Sequence, residues 1–81
     1  MTKQDFESKM AQARAMHGLS DRFYYYEGCM RGLRRTYHGE TFGTDKQHQH
    51  WLSLTEDVDE TRREKGRGYR DGLQGKSPTV T

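Results

Sequence analysis

Two groups of arginines, each with tyrosines nearby in the sequence, are the residues whose types and spacing best suit a binding chemistry. Guanidinium groups bind phosphate oxygens, and aromatic rings stack on unpaired bases. Such a surface suits RNA, whereas the ordinary alternative is a solvated helix face with internal ion pairs. The residues are Tyr24, Tyr25, Arg31, Arg34 and Arg35 in the first group and Arg62, Arg63, Arg67, Tyr69 and Arg70 in the second.

Charge is strongly polarised along the chain. The formal net charge is only +2, but residues 62–76 carry six basic against two acidic side chains. An acidic block, Glu56, Asp57, Asp59 and Glu60, precedes this segment. Such a block repels phosphate unless it is turned away or contacts a basic protein surface. Binding to RNA and binding to a basic protein surface therefore both remain open.

Metal and nucleophile chemistry are less favoured. His38, His48, His50 and Cys29 form a conceivable zinc set. However, two histidines two residues apart on a helix point about 200° apart, and no second cysteine offers the usual spacing. No catalytic triad or phosphate loop is recognisable. We expect no catalytic residue, no metal and no cofactor, and therefore a protein that is not an enzyme.

The helix that positions the first group has two distinct faces. Its apolar residues recur at steps of three and four and predict a stripe that packs on a partner helix. Together with Trp51, residues Phe23, Met30 and Leu33 of this helix are the predicted core. The full stripe is Leu19, Phe23, Tyr26, Met30, Leu33 and Tyr37.

The opposite face carries Gly28 and Gly32, which we include among the candidate binding residues. Glycine inside a helix costs about 1 kcal/mol relative to alanine, so such a pair is expected where a backbone or a ligand needs the space. The sequence G-x-x-x-G-L recurs at Gly68 and Gly72. The two pairs could coincide by chance, pack against each other, or pack against their copies in a dimer.

Capping signals divide the chain into elements. Thr2 with Asp5 opens a first helix that ends at Gly18; a second begins after Ser20 and Asp21 and stops before Gly39. A capping box at Thr44 opens a third helix through residue 58. Glycines 66 and 68 favour a break near residue 65 over a frayed continuation to residue 73. The prediction is an all-α bundle of about three helices over residues 1–74, with a flexible, disordered tail over 75–81.

Composition limits what this bundle can be. The 81 residues are only 30% hydrophobic, with a mean hydropathy of −1.26, so the core must be thin and a homodimer or an obligate partner is expected. No apolar run approaches the roughly 18 residues of a membrane span, and the N-terminus lacks a signal-peptide pattern. The single Cys29 excludes an internal disulfide. We expect a soluble, cytoplasmic protein without a membrane partner.

Part of the pattern resembles a known family, ribosome modulation factor. The spacing of Gly28 and Gly32 to the later Trp51 and Leu52 is similar to that family's glycine pair and Trp-Leu. The segment RGYRDGLQGKSP at residues 67–78 resembles its Arg-Gly-Tyr-x-x-Gly-x-x-Gly opening. The resemblance implies a small helical protein that binds ribosomal RNA and represses translation.

Two functional hypotheses follow. The first is a non-enzymatic regulator that docks on a nucleoprotein machine, such as a ribosome or another RNA-containing complex, and inhibits it through the Arg/Tyr surface. The second is a protein-directed inhibitor or adaptor of the type that phages and other mobile elements encode against host machinery such as CRISPR complexes. In that case, the face with Tyr24, Tyr25, Gly28 and Gly32 binds a host protein. Tyrosine and arginine dominate both kinds of interface, so composition does not separate them.

Overall fold

The computed structural model describes residues 1–19 and 21–76. In these residues the regular secondary structure is entirely helical, with no strand, which confirms the all-α prediction; there are four α-helices rather than about three. They are α1 (Lys3–Leu19), α2 (Phe23–His38), α3 (Asp45–Ser53) and α4 (Glu60–Leu73), with 3-10 turns at Gly39–Thr41 and Leu54–Glu56. Ser20 and residues 77–81, which hold most of the predicted tail, lie outside the described residues.

Three of the predicted helix boundaries are present. The third helix, predicted through residue 58, instead ends at Ser53 and is followed by a 3-10 turn, and the N-cap of α2 is Arg22, without a side-chain capping bond. The Thr44 hydroxyl accepts the Gln47 amide, and the Gln47 side chain accepts the Thr44 amide, each at 3.1 Å. At the start of α1, the Asp5 amide donates to the Thr2 hydroxyl at 3.1 Å. Gly39 ends α2 with a φ of 66°, in the left-handed region that glycine adopts without strain. Local sequence therefore sets these three helix boundaries.

Helix α2 is the central helix, and its apolar stripe packs on α1. The two helices run antiparallel, because Phe6 near the start of α1 stacks on Tyr37 at 4.2 Å while His17 near its end lies 3.8 Å from Phe23. Between these ring contacts, Ala13 of α1 is completely buried. Lys9 also donates from Nζ to the Gly75 carbonyl at 2.6 Å. This last bond ties the first half of α1 to the turn that follows α4.

Helix α4 packs on the other face of α2 and runs parallel to it. The backbone carbonyl nearest Gly28 is that of Lys65. The carbonyl nearest Gly32 is that of Tyr69, so the contact advances by four residues along both helices in the same direction. Parallel neighbours need a crossover connection, which residues 39–59 supply through α3 and the two 3-10 turns.

The expected break near Lys65 is wrong, because α4 continues through Gly66 and Gly68 to Leu73. Both glycines face neighbouring backbone. A Cβ atom on Gly66 would lie 2.5 Å from the Thr55 nitrogen, and one on Gly68 would lie 1.9 Å from a carbonyl oxygen of α2. Packing at these positions offsets the free-energy cost of glycine in a helix. A prediction from helix propensity alone includes that cost but not the packing, and it therefore places a break here.

The predicted core is right only in part. Leu33 is fully buried, but Met30 and Trp51 are half-buried and Phe23 is 44% exposed. Phe23 stays exposed because it lies beside the end of α1, where no further helical turn covers it. Tyr69 of α4, which is 2% exposed, contributes to the core instead. The buried apolar residues are Met10, Ala13, Tyr26, Cys29, Leu33, Leu54 and Tyr69.

The described chain is flat, with Cα extents of 35 × 30 × 17 Å. Its third dimension is close to the thickness of two packed helices. Among residues 1–19 and 21–76, no helix has the length and apolar character that crossing a membrane requires.

Candidate binding surfaces

The two glycine pairs face each other across the α2–α4 contact. A Cβ atom added at any of the four positions would lie 1.9–2.4 Å from a carbonyl oxygen of the opposite helix. The backbones are thus in direct contact, in the arrangement that allows Cα–H···O bonds. The structure thus shows that the two glycine pairs pack against each other within one chain. The facing carbonyls are Lys65 for Gly28, Tyr69 for Gly32, Tyr25 for Gly68 and Cys29 for Gly72.

This contact changes the place of several predicted binding residues. Gly28 and Gly32 are buried beneath α4 of the same chain and do not lie on the surface. The interpretation in which the glycine pairs pack against their copies in a dimer requires this face to be open. Because α4 covers it, the glycine pairs give no support to the predicted homodimer.

Tyr25 is held inside the same region by polar contacts. Its hydroxyl donates to Asp71 Oδ2, and the Arg22 guanidinium lies 4.0 Å from the centre of its ring. Burial, followed by the hydrogen bond to Asp71, raises the pKa of Tyr25 well above its usual range. Burial also raises the pKa of the neighbouring Cys29 to about 11. At neutral pH Cys29 is therefore a protonated thiol and a poor nucleophile.

The first arginine group is divided among different tasks. Arg31 lies 4.8 Å from the ring centre of Trp51 and 5.4 Å from that of Phe42. Arg35 donates to the Phe42 carbonyl at 3.1 Å and pairs with Asp45 at 3.2 Å. Its side chain is only 11% exposed. These two arginines hold the crossover segment against α2.

Arg34 points elsewhere. It is half-buried and lines a groove between α1 and α2 together with Phe6, Arg14 and His38. The structure therefore does not bring the three arginines of α2 to one surface.

Of the two groups, the second is the one with exposed arginines, namely Arg62, Arg67 and Arg70. Arg63, Arg67 and Arg70 recur at i, i+4 and i+7, on the side of α4 opposite Gly68 and Gly72. We call these three residues the Arg stripe. Arg67 is exposed and has no ion-pair or hydrogen-bond partner in the described part of the chain. Arg70 is 51% exposed and lies 3.9 Å from the carboxylate of its neighbour Asp71.

Arg63 is the most enclosed member of the stripe. It is half-buried, and its Nη1 donates to the Asp57 carbonyl at 3.4 Å. Its Nε atom is buried without a hydrogen-bond partner. Arg62 lies off the stripe, is 65% exposed, and is 3.9 Å from the carboxylates of both Asp57 and Asp59. Arg67 and Arg70 are thus the members most available to a ligand.

Tyr69, predicted as a binding residue, is internal. Its hydroxyl and His48 Nδ1 are 2.5 Å apart, and its ring lies 5.6 Å from that of Trp51. Burial raises the pKa of Tyr69. The residues considered as zinc ligands lie apart from one another. His48 is hydrogen-bonded to Tyr69, His38 packs on Phe6 and Cys29 lies in the core. Within the described residues no three His, Cys, Asp or Glu side chains form a group that could hold a metal.

An apolar surface lies where α1 ends and α2 begins, and of its three residues only Tyr24 was predicted as a binding residue. Leu19 is 85% exposed, Phe23 44% and Tyr24 42%. We call these three residues the aromatic end. The periodicity of the apolar stripe predicts that Leu19 and Phe23 point inward. Gly18, just before Leu19, is the signal in the sequence that α1 ends too early to cover them.

A pocket of about 210 Å³ adjoins this end, between the beginnings of α2 and α4. It is smaller than the roughly 300 Å³ at which pockets for small molecules begin. Tyr24 belongs to both the aromatic end and the pocket, and Lys65 Nζ lies 5.3 Å from its ring centre. The lining residues are Asp21, Arg22, Tyr24, Tyr25, Glu60, Thr61 and Glu64.

The acidic block lies at the beginning of α4. Asp57 Oδ1 accepts the Asp59 amide at 2.8 Å, and Glu60 is in the first turn. Carboxylates at a helix N-terminus are stabilised by the helix dipole. These acids therefore have a structural role, and Glu60 also contributes to the pocket.

Comparison of the chain with protein-family models, with curated proteins and with solved structures finds no match.

Proposed function

We propose that the protein is a small non-enzymatic regulator that docks on an RNA-containing complex through the Arg stripe and inhibits it by covering the contacted surface. The observation that carries the proposal is the exposure of Arg67 and Arg70 on the free side of α4. Arginines that serve the fold have nearby acceptors or aromatic rings, as Arg31 and Arg35 do. Among the described residues Arg67 has neither, so the fold that they form does not explain it.

The spacing of the stripe suits a phosphate backbone. Seven residues of α-helix span about 10 Å, which corresponds to roughly three nucleotide steps along one strand of a duplex. The stripe is straight because α4 is continuous and is held against α2 by backbone contact. The exposed guanidinium groups of Arg67 and Arg70 on a rigid helix can bind neighbouring phosphates with little loss of backbone entropy, and the more enclosed Arg63 adds positive charge beside them.

The sequence resemblance to ribosome modulation factor favours a ribosome as the complex, and its second matching segment begins at Arg67 within the stripe. The stripe explains backbone binding but not base recognition. Tyr25 and Tyr69 are engaged inside the protein, which leaves no predicted tyrosine beside the stripe for stacking. We therefore propose that the stripe contacts phosphates and that specificity comes from elsewhere on the target.

A second candidate function rests on the aromatic end. An exposed apolar surface with a tyrosine is typical of protein interfaces, and it would suit a phage-encoded inhibitor of anti-CRISPR type that binds a host protein. Tyr24 is the predicted residue of that interface that remains exposed.

The test measures binding of a fluorescein-labelled single-stranded RNA by fluorescence anisotropy at several salt concentrations. The double variant Arg67→Glu/Arg70→Glu should bind weakly, and the salt slope should fall by about 0.7 for each phosphate that the variant no longer neutralises. The matched control is Lys3→Glu/Lys46→Glu, because both lysines are exposed and lie off α4. If the stripe variant and the control bind RNA equally, the Arg stripe is not the RNA site.

A further inference from the structure

We propose that the aromatic end and its pocket form a docking site for a basic, amphipathic segment of a partner protein, with one lysine or arginine of that segment in the pocket. This inference rests on the second candidate function, the protein interface at the aromatic end, and is independent of RNA binding by the Arg stripe. It begins from exposure: Leu19 is 85% exposed, and Phe23 and Tyr24 are each more than two-fifths exposed. Tyr24 is a half-exposed aromatic residue on a helix, the type that anchors protein interfaces.

The pocket beside the aromatic end is lined mainly by acidic residues, and Lys65 of α4 lies on the other side of this surface with its Nζ 5.3 Å from the Tyr24 ring centre. The pocket is lined by three carboxylates, Asp21, Glu60 and Glu64, against one guanidinium, which gives a formal charge of −2. Glu64 is paired with Arg22 at 3.2 Å. Asp21 and Glu60 have no ion-pair partner in the described part of the chain. These two carboxylates are therefore available to a cation that enters from outside.

The size of the pocket sets the size of what enters it. About 210 Å³ is too small for most ligand-sized molecules, but it is sufficient for one long side chain. A lysine or arginine can place its aliphatic stem against an aromatic ring and its charged group among carboxylates. The ring of Tyr24 and the carboxylates of the pocket provide both surroundings side by side.

Charge decides among the occupants. RNA would bring phosphates toward the carboxylates of Asp21 and Glu60 and be repelled. A second copy of this chain in a symmetric dimer would place the same acidic surface against itself, with the same repulsion. A partner segment with basic residues beside apolar ones complements both features, so it is the occupant that the surface fits.

The site is preformed. Its walls are the first turns of α2 and α4, and these helices are in backbone contact one to two turns further along, at Gly28 and Gly68. The Arg22–Glu64 pair bridges the two walls. A rigid site loses little entropy on binding, which favours recognition of a short segment.

The experiment uses two synthetic helical peptides with identical leucine positions, one with lysines and one with glutamates at the polar positions. Each is titrated into the ¹⁵N-labelled full chain and followed by amide chemical shifts. The lysine peptide should shift Leu19, Phe23, Tyr24 and Glu60, and the glutamate peptide should leave them unchanged. Asp21→Asn/Glu60→Gln should weaken the lysine peptide about fivefold or more.

Two further variants complete the test. Asp5→Asn/Glu7→Gln makes the same charge change at the far end of α1 and should bind as the unsubstituted chain does. Leu19→Ser removes an 85% exposed side chain that the fold does not use, and it should also weaken binding. Equal binding of both peptides, shifts located on the Arg stripe, no binding at all, or self-association through Leu19 in sedimentation experiments would each overturn the proposal.

Discussion

Alanine at the glycine contact should destabilise the protein, although alanine is the better helix former. The Cβ of Gly28→Ala would lie 2.1 Å from the Lys65 carbonyl oxygen, and that of Gly68→Ala 1.9 Å from the Tyr25 oxygen. Carbon and oxygen in weak hydrogen bonds approach to about 3.3 Å. Because both neighbouring atoms belong to backbone, α2 and α4 must separate by about 1 Å or more in each variant.

The magnitude follows from two opposing effects. Alanine gains about 1 kcal/mol in helix propensity, while overpacking costs about 1–3 kcal/mol or more. Separation also weakens the other three glycine positions and the packing of Tyr69, so we expect a net destabilisation of about 2 kcal/mol for either variant. For a domain of this size each kcal/mol moves the Tm by about 4–8 °C. Thermal unfolding followed by circular dichroism should therefore show a decrease of about 10 °C.

Gly18 supplies the matched control. A Cβ there would meet nothing within 4 Å, so Gly18→Ala should raise the stability by up to about 1 kcal/mol. The Gly28→Ala/Gly68→Ala double variant should be destabilised by less than the sum of the two single effects, because the first substitution already separates the helices. If all three single variants raised the Tm alike, the two backbones would not be in contact.

Three further predictions concern other parts of the molecule. Thr44→Ala removes one hydrogen bond of the capping box and should cost about 1 kcal/mol in chemical denaturation, whereas Thr61→Ala, inside α4, should change the free energy of unfolding less. Folding raises the pKa of Cys29 to about 11 and also raises the pKa of Tyr25, so both groups stabilise the fold below their unfolded pKa values. The Tm should therefore fall as the pH rises from about 9 toward 11, and it should fall less in Cys29→Ala. Arg67→Glu/Arg70→Glu should keep the Tm within about 2–4 °C of the unsubstituted protein, since both side chains are exposed, and a larger drop would show that the stripe supports the fold.

Local chemistry made much of the fold predictable. The Thr44 capping box and the stop at Gly39 depend on residues within one turn of each other, and both are present as expected. The repeated glycine spacing identified the residues of the α2–α4 contact. It did not reveal that they pair within one chain, because that depends on a long crossover whose path local sequence does not determine. The continuation of α4 through Gly66 depends on the neighbouring turn in the same way.

The surfaces were harder to predict because residue type does not determine exposure. Arg35 and Arg67 are chemically identical, yet one is tied to Asp45 and the other is exposed. Tyr24 and Tyr25 are adjacent, yet only Tyr24 remains outside, since successive residues of a helix point about 100° apart and α4 covers one of them. Leu19 fits the periodicity of an apolar stripe but lies at the last position of α1.

The glycine contact also fixes how α4 can move along α2. A slide of one residue would move the four glycines out of line with the carbonyl oxygens that they face. A slide of four residues would again oppose one glycine pair, since both helices repeat glycine at that spacing. Sliding therefore restores a glycine contact only in steps of four residues, about 6 Å along the helix axis. Small displacements are blocked, so the two helices are held in a single register and cannot adjust gradually.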